Sequence, residues 1–521
     1  MSKFSIYLKD LIEDSGESIS FIARSIEAER TSIHKALTDE RILSYKVVQA
    51  LARHFNLPVD KKKEFFRLYD ILLQGEESYE NRQAVCSLLN ALSSIRFSML
   101  PPPQVDSIEL ANRLIKGEYA VRNAIRNVLI YEATHTDKAN FSMYVPEKLD
   151  LTMELMELWL AQCDYSVDAL LCFYSNHTSG SKNIQLLRSV IPLCLASRGS
   201  YRPYYFCETP KAAALSPMSY YIITPHYLIQ LSEDLSMAQI RDDTELIEFY
   251  QGFFRNLLEC CDPLVRCNSN ILEVLQEYIS NTSPDSLQIM MPQPCTGRYI
   301  TPEIIRKYMH NGPMPYKEMY NLVEHHFSVL QQINGTYQTV FTEKGLQDLI
   351  TTRTMMDLPP QYVPPLENQD IRQMLRYLYD EIDRGSVQGM LVRPTSLQLP
   401  DYLSIYVHPK TGLHIYTTNA FVYGAYCCNI HIAEASICRI FMVLCSHLLE
   451  AIWSIPKLTP CSCWHSILQK WRYSIHERYL FPRLQSSRTG TSAYRTGCPV
   501  PACFWRVHSF SAAQRILAAR K

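Results

Sequence analysis

The 521-residue chain has no apolar stretch at its start long enough for an export signal, because MSKFSIYLKDLIED runs straight into a helical rhythm. An uninterrupted membrane span is also missing. The longest late candidate, ASICRIFMVLCSHLLEAIW at residues 435–453, is broken by Arg439, His447 and Glu450. Both absences point to the cytoplasm and away from a membrane. Net charge is only −1, so nothing pulls the whole molecule toward nucleic acid, and any DNA contact has to come from a local patch. The 17 cysteines form no spaced framework. They stand singly or as neighbours such as Cys260 with Cys261 and Cys427 with Cys428, which fits reduced thiols. CxxC pairs are lacking, and the nearest metal-like set, Cys461, Cys463 and His465 with Cys498 and Cys503, has the wrong spacing for a zinc module. No metal and no cofactor is expected.

Catalytic signatures are equally scarce. There is no phosphate loop ending in Gly-Lys-Ser/Thr, no GxGxxG after a strand, no HExxH and no GxSxG elbow. His177 and Lys182 in SNHTSGSKN hint at a phospholipase-type His-x-Lys pair, but they are five residues apart with no partnering Asp, which favours a polar loop capping the next helix. His325 and His326 fall on different helix faces, so one should point inward and the other to solvent. The tyrosines Tyr201, Tyr204, Tyr205, Tyr220 and Tyr221 could line a ligand pocket, although aromatic strand positions are more often core. An enzyme is not expected.

What is present is a globular composition, 47% hydrophobic and 20% charged, with 33 Tyr and 29 Pro, in a chain long enough for two to four domains. Over residues 4–73 the apolar residues recur at three and four, the helical period. Phe4, Tyr7, Leu8, Leu11 and Ile12 mark a first helix ended by Gly16. Ser18 caps a second with Phe21, Ile22 and Ile26, and Ile33 with Leu37 mark a third. Ser44 caps a fourth carrying Val47, Val48, Leu51, Ala52 and Phe55, and a fifth follows Pro58 with Phe65, Phe66, Tyr69 and Leu72. Small Ala23 sits where a second helix can approach, and residues 18–37 read as helix, tight turn, helix.

Those residues carry a resemblance. Ser18, Ile22, Ala23, Ile26, Thr31, Ser32 and Ile33, then Val48, Leu51, Ala52, Phe55 and Leu57 in VVQALARHFNL, resemble the phage-repressor-like (XRE, Cro/cI-type) helix-turn-helix family over about 70 residues. The resemblance implies a lambda-repressor-like bundle that binds double-stranded DNA as a homodimer, with base-reading positions at Arg30, Thr31 and Lys35, His34 as a neighbour, and Ser32 and Arg24 within reach of phosphates. Arg can grip guanine O6 and N7, and a Thr methyl can meet a thymine methyl. Three positions depart from the family. Glu27 replaces the turn glycine and must take a positive φ or change the turn. Glu29 stands where Ser or Thr usually starts the helix, and Ile19 replaces a glutamine donor. Residues 1–75 hold twelve Lys or Arg against eleven Asp or Glu, so the module is barely basic.

The rest reads as a mixed α/β region, making the chain an α+β multi-domain protein. Residues 1–75 form the helix-turn-helix domain and 76–105 a helical and Pro-rich linker closing on FSMLPPPQVDS. Residues 106–285 form a mixed α/β sensor domain, 298–440 a second α/β unit of unknown role, and 441–521 a basic tail. ANFSMYV, DALLCFYS, YYFCE and SYYIITPHYLIQLS read as strands. LDLTMELMELWLAQC, NIQLLRSVIPLCLA, DDTELIEFYQGFFRNLLECC, TPEIIRKYMHN, PYKEMYNLVEHHFSVL and IRQMLRYLYDEID read as helices. GMLVRP, LSIYVHP and GLHIYTT read as an antiparallel meander. No internal repeat shows in the sequence. The tail holds four of the five tryptophans and eleven Lys or Arg against Glu450 and Glu477. It reads either as a basic nucleic-acid or membrane arm or as a frameshifted segment that stops folding near residue 445.

These features lead to a sequence-specific DNA-binding transcriptional regulator whose larger part senses or assembles, responding to an unknown small-molecule or protein effector. Two other readings stay open: a scaffold whose helical bundle docks protein, and an enzyme with an unrecognised site in the middle region.

Overall fold

The computed structural model describes residues 1–108, 112–174, 180–208, 218–268, 286–310, 317–333, 335–356, 363–392, 397–408, 411–417 and 428–449, with 273, 276 and 277. The tail beyond residue 449, its cysteine and histidine set, and His177 lie outside the described residues. The fold is α+β.

Five helices open the chain: α1 (Lys3–Ser15), α2 (Ile19–Ser25), α3 (Arg30–Leu37), α4 (Tyr45–His54) and α5 (Val59–Gln74). Their period-3.6 apolar faces meet in one core of Phe4, Leu8, Ile22, Ala23, Ile33, Val48, Leu51, Phe65 and Tyr69. Gly16 ends α1 in the left-handed region at φ 67°, and Ser18 Oγ accepts from Phe21 N at 3.2 Å to cap α2. Two local expectations fail. Ser44 occupies the cap position of α4 but its side chain makes no capping bond, and Phe21 turns to solvent because Ile22 and Ala23 already fill the inner face of α2.

The helical stretch after the head is more than a connector. Gly75 (φ 85°) breaks α5 from α6 (Glu76–Ser94), which buries Ala84, Val85, Leu88, Leu89 and Leu92 in the main core of the body. Tyr402 Oη donates to Leu92 O at 2.7 Å and Asn90 Oδ1 accepts from Gln398 N at 2.8 Å, so α6 is fastened to chain three hundred residues away.

The body is a duplication that the sequence conceals. Its first repeat runs β1 (Arg113–Lys116), α7 (Glu118–His135), β2 (Ala139–Tyr144), α8 (Thr152–Leu160), β3 (Tyr165–Tyr174), α9 (Gly180–Ser197) and β4 (Tyr201–Glu208). It ends with β5 (Tyr220–Ile223), β6 (Leu228–Leu231), β7 (Met237–Arg241) and α10 (Thr244–Leu258), and the two-residue β8 (Asp262–Pro263) then adds to the edge. The sheet order is β1-β7-β6-β5-β2-β3-β4-β8, with β2, β3 and β4 parallel and the rest antiparallel.

The second repeat follows as β9 (Arg266–Asn268), β10 (Ser286–Met290), α11 (Pro302–Ile305), α12 (Lys317–Gln331), β11 (Thr336–Thr342), α13 (Glu343–Thr352), α14 (Asn368–Asp383) and β12 (Gln388–Val392). It closes with β13 (Ser404–His408), β14 (Gly412–Thr417), β15 (Cys428–Ile432) and α15 (Ala435–Leu449). Its order is β12-β11-β10-β13-β14-β15-β9, with β10, β11 and β12 parallel and the rest antiparallel. Strand for strand, β9 to β15 repeat the path of β1 to β7. A three-strand parallel unit with helical crossovers is followed each time by an antiparallel run that turns back to pair with the first strand.

This topology corrects two expectations. An internal repeat exists, and GMLVRP is no part of a meander: β12 lies parallel to β11 at the far edge, while the meander is β13-β14-β15. TPEIIRKYMHN is one α turn, α11, passing into a π-helical stretch at Arg306–His310. The other quoted strands and helices form where expected, with His326 buried and His325 exposed on α12. Tyr201 packs in the main core and Tyr221 with Tyr204 in a smaller cluster under α10.

Candidate nucleic-acid interface

Local chemistry sets the angle between α2 and α3. Ala28 N donates to Ala23 O at 2.9 Å and Glu27 N to Arg24 O at 3.4 Å, the paired bonds of a left-handed helix stop, with Glu27 at φ 54° in the glycine position. The chain keeps the turn and holds a non-glycine residue in the left-handed region. The same stop recurs after α3, where Asp39 has φ 61° and Glu40 N reaches Lys35 O, and after α4, where Asn56 has φ 45° and Leu57 N reaches Ala52 O. A non-glycine residue costs about 1 kcal/mol in that region. Glu27→Gly is therefore expected to slow hydrogen exchange at the α2–α3 amides about five-fold, and an unchanged exchange rate would count against strain there.

The C-terminal end of α3 is pinned to the start of α1. Asp39 accepts from Ser2 Oγ at 2.7 Å and from the Ser5 hydroxyl, with the chain's amino group 3.5 Å away. Its carboxyl is held down at about 2, chiefly by the Ser5 hydroxyl. On the other side, His54 Nε2 lies 2.6 Å from Glu17 Oε2 and its Nδ1 lies 3.0 Å from Ser25 Oγ, joining α4 to both ends of α2. The helix pair is thus braced on two sides.

α3 buries Ile33 and Ala36 and leaves Arg30, Thr31, His34 and Lys35 exposed on its outer face, at i, i+1, i+4 and i+5. Arg24 is exposed in the last turn of α2. Among the described residues no carboxylate forms an ion pair with Arg24, Arg30 or Lys35, so these cations have no internal partner to give up. Ser32 differs. It is half-buried and its Oγ donates to Glu29 Oε2 at 3.2 Å, while Arg41 Nη1 sits 3.8 Å from the same oxygen. A phosphate contact by Ser32 would have to displace Glu29. Sequence reading missed Arg41, whose only signal was a basic residue just beyond α3.

The head is joined to the body through charge as well as chain. Arg82 on α6 is buried, with Nη2 2.8 Å from Asp70 Oδ2 on α5, and Lys3 Nζ lies 2.9 Å from Glu76 Oε1. Burial raises the Asp70 carboxyl even beside that guanidinium.

No family model matches the chain, and no curated protein matches it. Three solved structures overlap it weakly. TrmBL2, an archaeal chromatin protein with a novel mode of DNA binding, is 12% identical and covers 50% of this chain and 99% of its own, at a TM-score of 0.22. Polyphosphate kinase from Porphyromonas gingivalis is 11% identical, covering 67% of this chain and 54% of its own at 0.22. Phosphatidylserine synthase from Haemophilus influenzae Rd KW20 is 10% identical, covering 77% and 99% at 0.22. At that overlap none of them speaks to fold or function.

Elsewhere, His408, His414 and His431 gather around Thr411 on β13–β15. His414 Nε2 lies 3.2 Å from Thr411 Oγ1, His431 Nε2 donates to Thr411 O at 2.6 Å, and the His414 and His431 rings stack at 4.3 Å. Burial, then the neighbouring imidazoles, push His414 down to about 3. Among the described residues no group of three or more His, Cys, Asp or Glu is placed to hold a metal ion, and no helix is long and apolar enough to cross a membrane.

Proposed function

We propose that the chain is a cytoplasmic, sequence-specific DNA-binding transcriptional regulator of the phage-repressor-like kind. In this reading α3 is the reading helix and the duplicated body is a sensing or assembly region rather than an enzyme. The observation that carries this is the outer face of α3: Arg30, Thr31, His34 and Lys35 stand in solvent on one side of a helix whose C-terminal end is pinned to α1, with cations that no carboxylate holds among the described residues. Such a face offers bidentate donors to a major groove, while Arg24 supplies a phosphate contact. Because α6 runs from the head into the core of the body, an effector that prefers one packing of the body can bias how the head is held.

Gel-shift titration of the full chain against salt tests the reading. Binding should weaken steeply as salt rises. Arg24→Ala should lower the salt slope by about one phosphate equivalent, and Arg30→Ala should cost about ten-fold in affinity for the preferred sequence. Binding indifferent to salt, or unchanged by both substitutions, would reject it.

A further inference from the structure

α10 is the anomaly of the duplication. Its counterpart in the second repeat, α15, is packed against α6, α9, β13 and β14 and buries Ile437, Phe441, Leu444 and Cys445. α10 occupies the same place in the first repeat, yet it buries only Ile247 and Phe254, against Tyr221, Leu228 and their neighbours. Phe249 and Phe253 are left in solvent at 69% and 52% exposure, one turn apart on the same stripe. Gly252 lies between them, and a Cβ built there would meet nothing within 4 Å, so the stripe has a flat centre where another helix can come close.

The charges along α10 have a direction. Glu245 and Glu248 stand toward its start and Arg255 toward its end, all exposed, and none forms an ion pair among the described residues. Phe249 and Phe253 lie between an acid at Glu248 and a base at Arg255, so this face is complementary to an antiparallel copy of itself centred near Gln251. A twofold interface demands that kind of patch, in which residue i meets residue j and j meets i.

We propose that α10 joins two copies of this chain, the two helices lying antiparallel across a twofold axis. Phe249 of each copy packs against Phe253 of the other, and Glu248 faces Arg255. A parallel arrangement would set acid against acid, so the charges select the antiparallel one. The two phenylalanines supply the apolar centre and the ion pairs its rim. This contact stands apart from DNA binding and holds whether or not α3 reads bases.

Sedimentation equilibrium of the full-length chain decides it. The wild type should be a dimer, and Phe249→Ser with Phe253→Ser should render it monomeric at micromolar concentration. Glu248→Arg and Arg255→Glu should each weaken association about ten-fold, since every substitution is met twice across the axis, and the two together should restore it. All four side chains are exposed, so circular dichroism should match the wild type throughout. A monomeric wild type, a dimer indifferent to the phenylalanine changes, or a double reversal no tighter than the single ones would each overturn the proposal.

Discussion

Gly345→Ala is expected to destabilise the chain by about 3 kcal/mol or more, because among the described glycines an added Cβ would come closest to its neighbours there. Gly345 lies in the first turn of α13, directly over the backbone that leaves β10. An alanine Cβ would stand 1.9 Å from Pro292 O and 2.1 Å from Pro292 C, so main chain rather than a flexible side chain would have to move. That main chain is already committed. Thr342 N donates to Pro292 O at 3.0 Å, and Thr342 Oγ1 both donates to Pro292 O at 3.2 Å and accepts from Gly345 N at 2.9 Å as the cap of α13. Relieving the collision breaks the cap, the crossing bond, or both, and each is worth about 1 kcal/mol beyond the strain itself. Urea unfolding measures this directly. A midpoint within error of the wild type would show that α13 can lift from Pro292 at little cost.

Arg82→Ala should cost about 3 kcal/mol and loosen the head. The guanidinium of Arg82 is buried and pairs with Asp70, whose carboxylate keeps about a quarter of its side chain exposed. Removing one member of a fully buried pair costs about 3–5 kcal/mol, because the remaining charge keeps its desolvation penalty without its partner. Partial exposure of Asp70 places this case at the lower end. Asp70 already titrates above the usual carboxylate range through burial, and without Arg82 it should rise further and take up a proton as pH falls. Stability lost in Arg82→Ala should therefore shrink toward acid pH, where the orphaned carboxyl is neutral. Replacing both residues by apolar ones of similar volume should recover most of the loss. Thermal unfolding across pH 4 to 8 measures both effects, and a loss that is flat with pH would show that Asp70 is not the penalised group.

Local signals made the head legible. Gly16, Ser18 and the three-and-four spacing of Phe4, Leu8, Ile22 and Ile33 place helix ends and inner faces within a few residues of where they form. Even the strain at Glu27 could be anticipated, because a turn of that length leaves the backbone few choices. Arg24, Arg30, Thr31 and Lys35 were singled out by the resemblance, and all four are exposed. The engagement of Ser32 by Glu29 did not, since side-chain competition at a helix start depends on rotamers. In the body the strands with clear alternation or long apolar runs were legible one at a time. Their pairing was not. β12 joins β11 in parallel across an intervening pair of helices, and nothing in GMLVRP distinguishes that partner from the nearer β13. β1, RLIK, is too short and too charged to announce a strand, yet without it the first repeat has no closing edge and the duplication cannot be recognised. α6 looked like a connector because it follows the head without a break in helical pattern, and its buried face with its long-range bonds to Gln398 and Tyr402 shows that it belongs to the body as well.

The edge closure of each repeat has a consequence for synthesis. β1 leaves the ribosome long before its partner strand, since Arg113–Lys116 pairs with Met237–Arg241, the last of the strands β1 to β7. At ~5–20 residues per second the nascent chain holds that edge open for on the order of ten seconds. β9 waits in the same way for β15, the end of the second repeat. Two successive half-made sheets with the same strand order are each other's most plausible wrong partner. Slow translation between α10 and β9, long enough for β7 to dock before β9 emerges, would keep the two copies of the fold from trading strands.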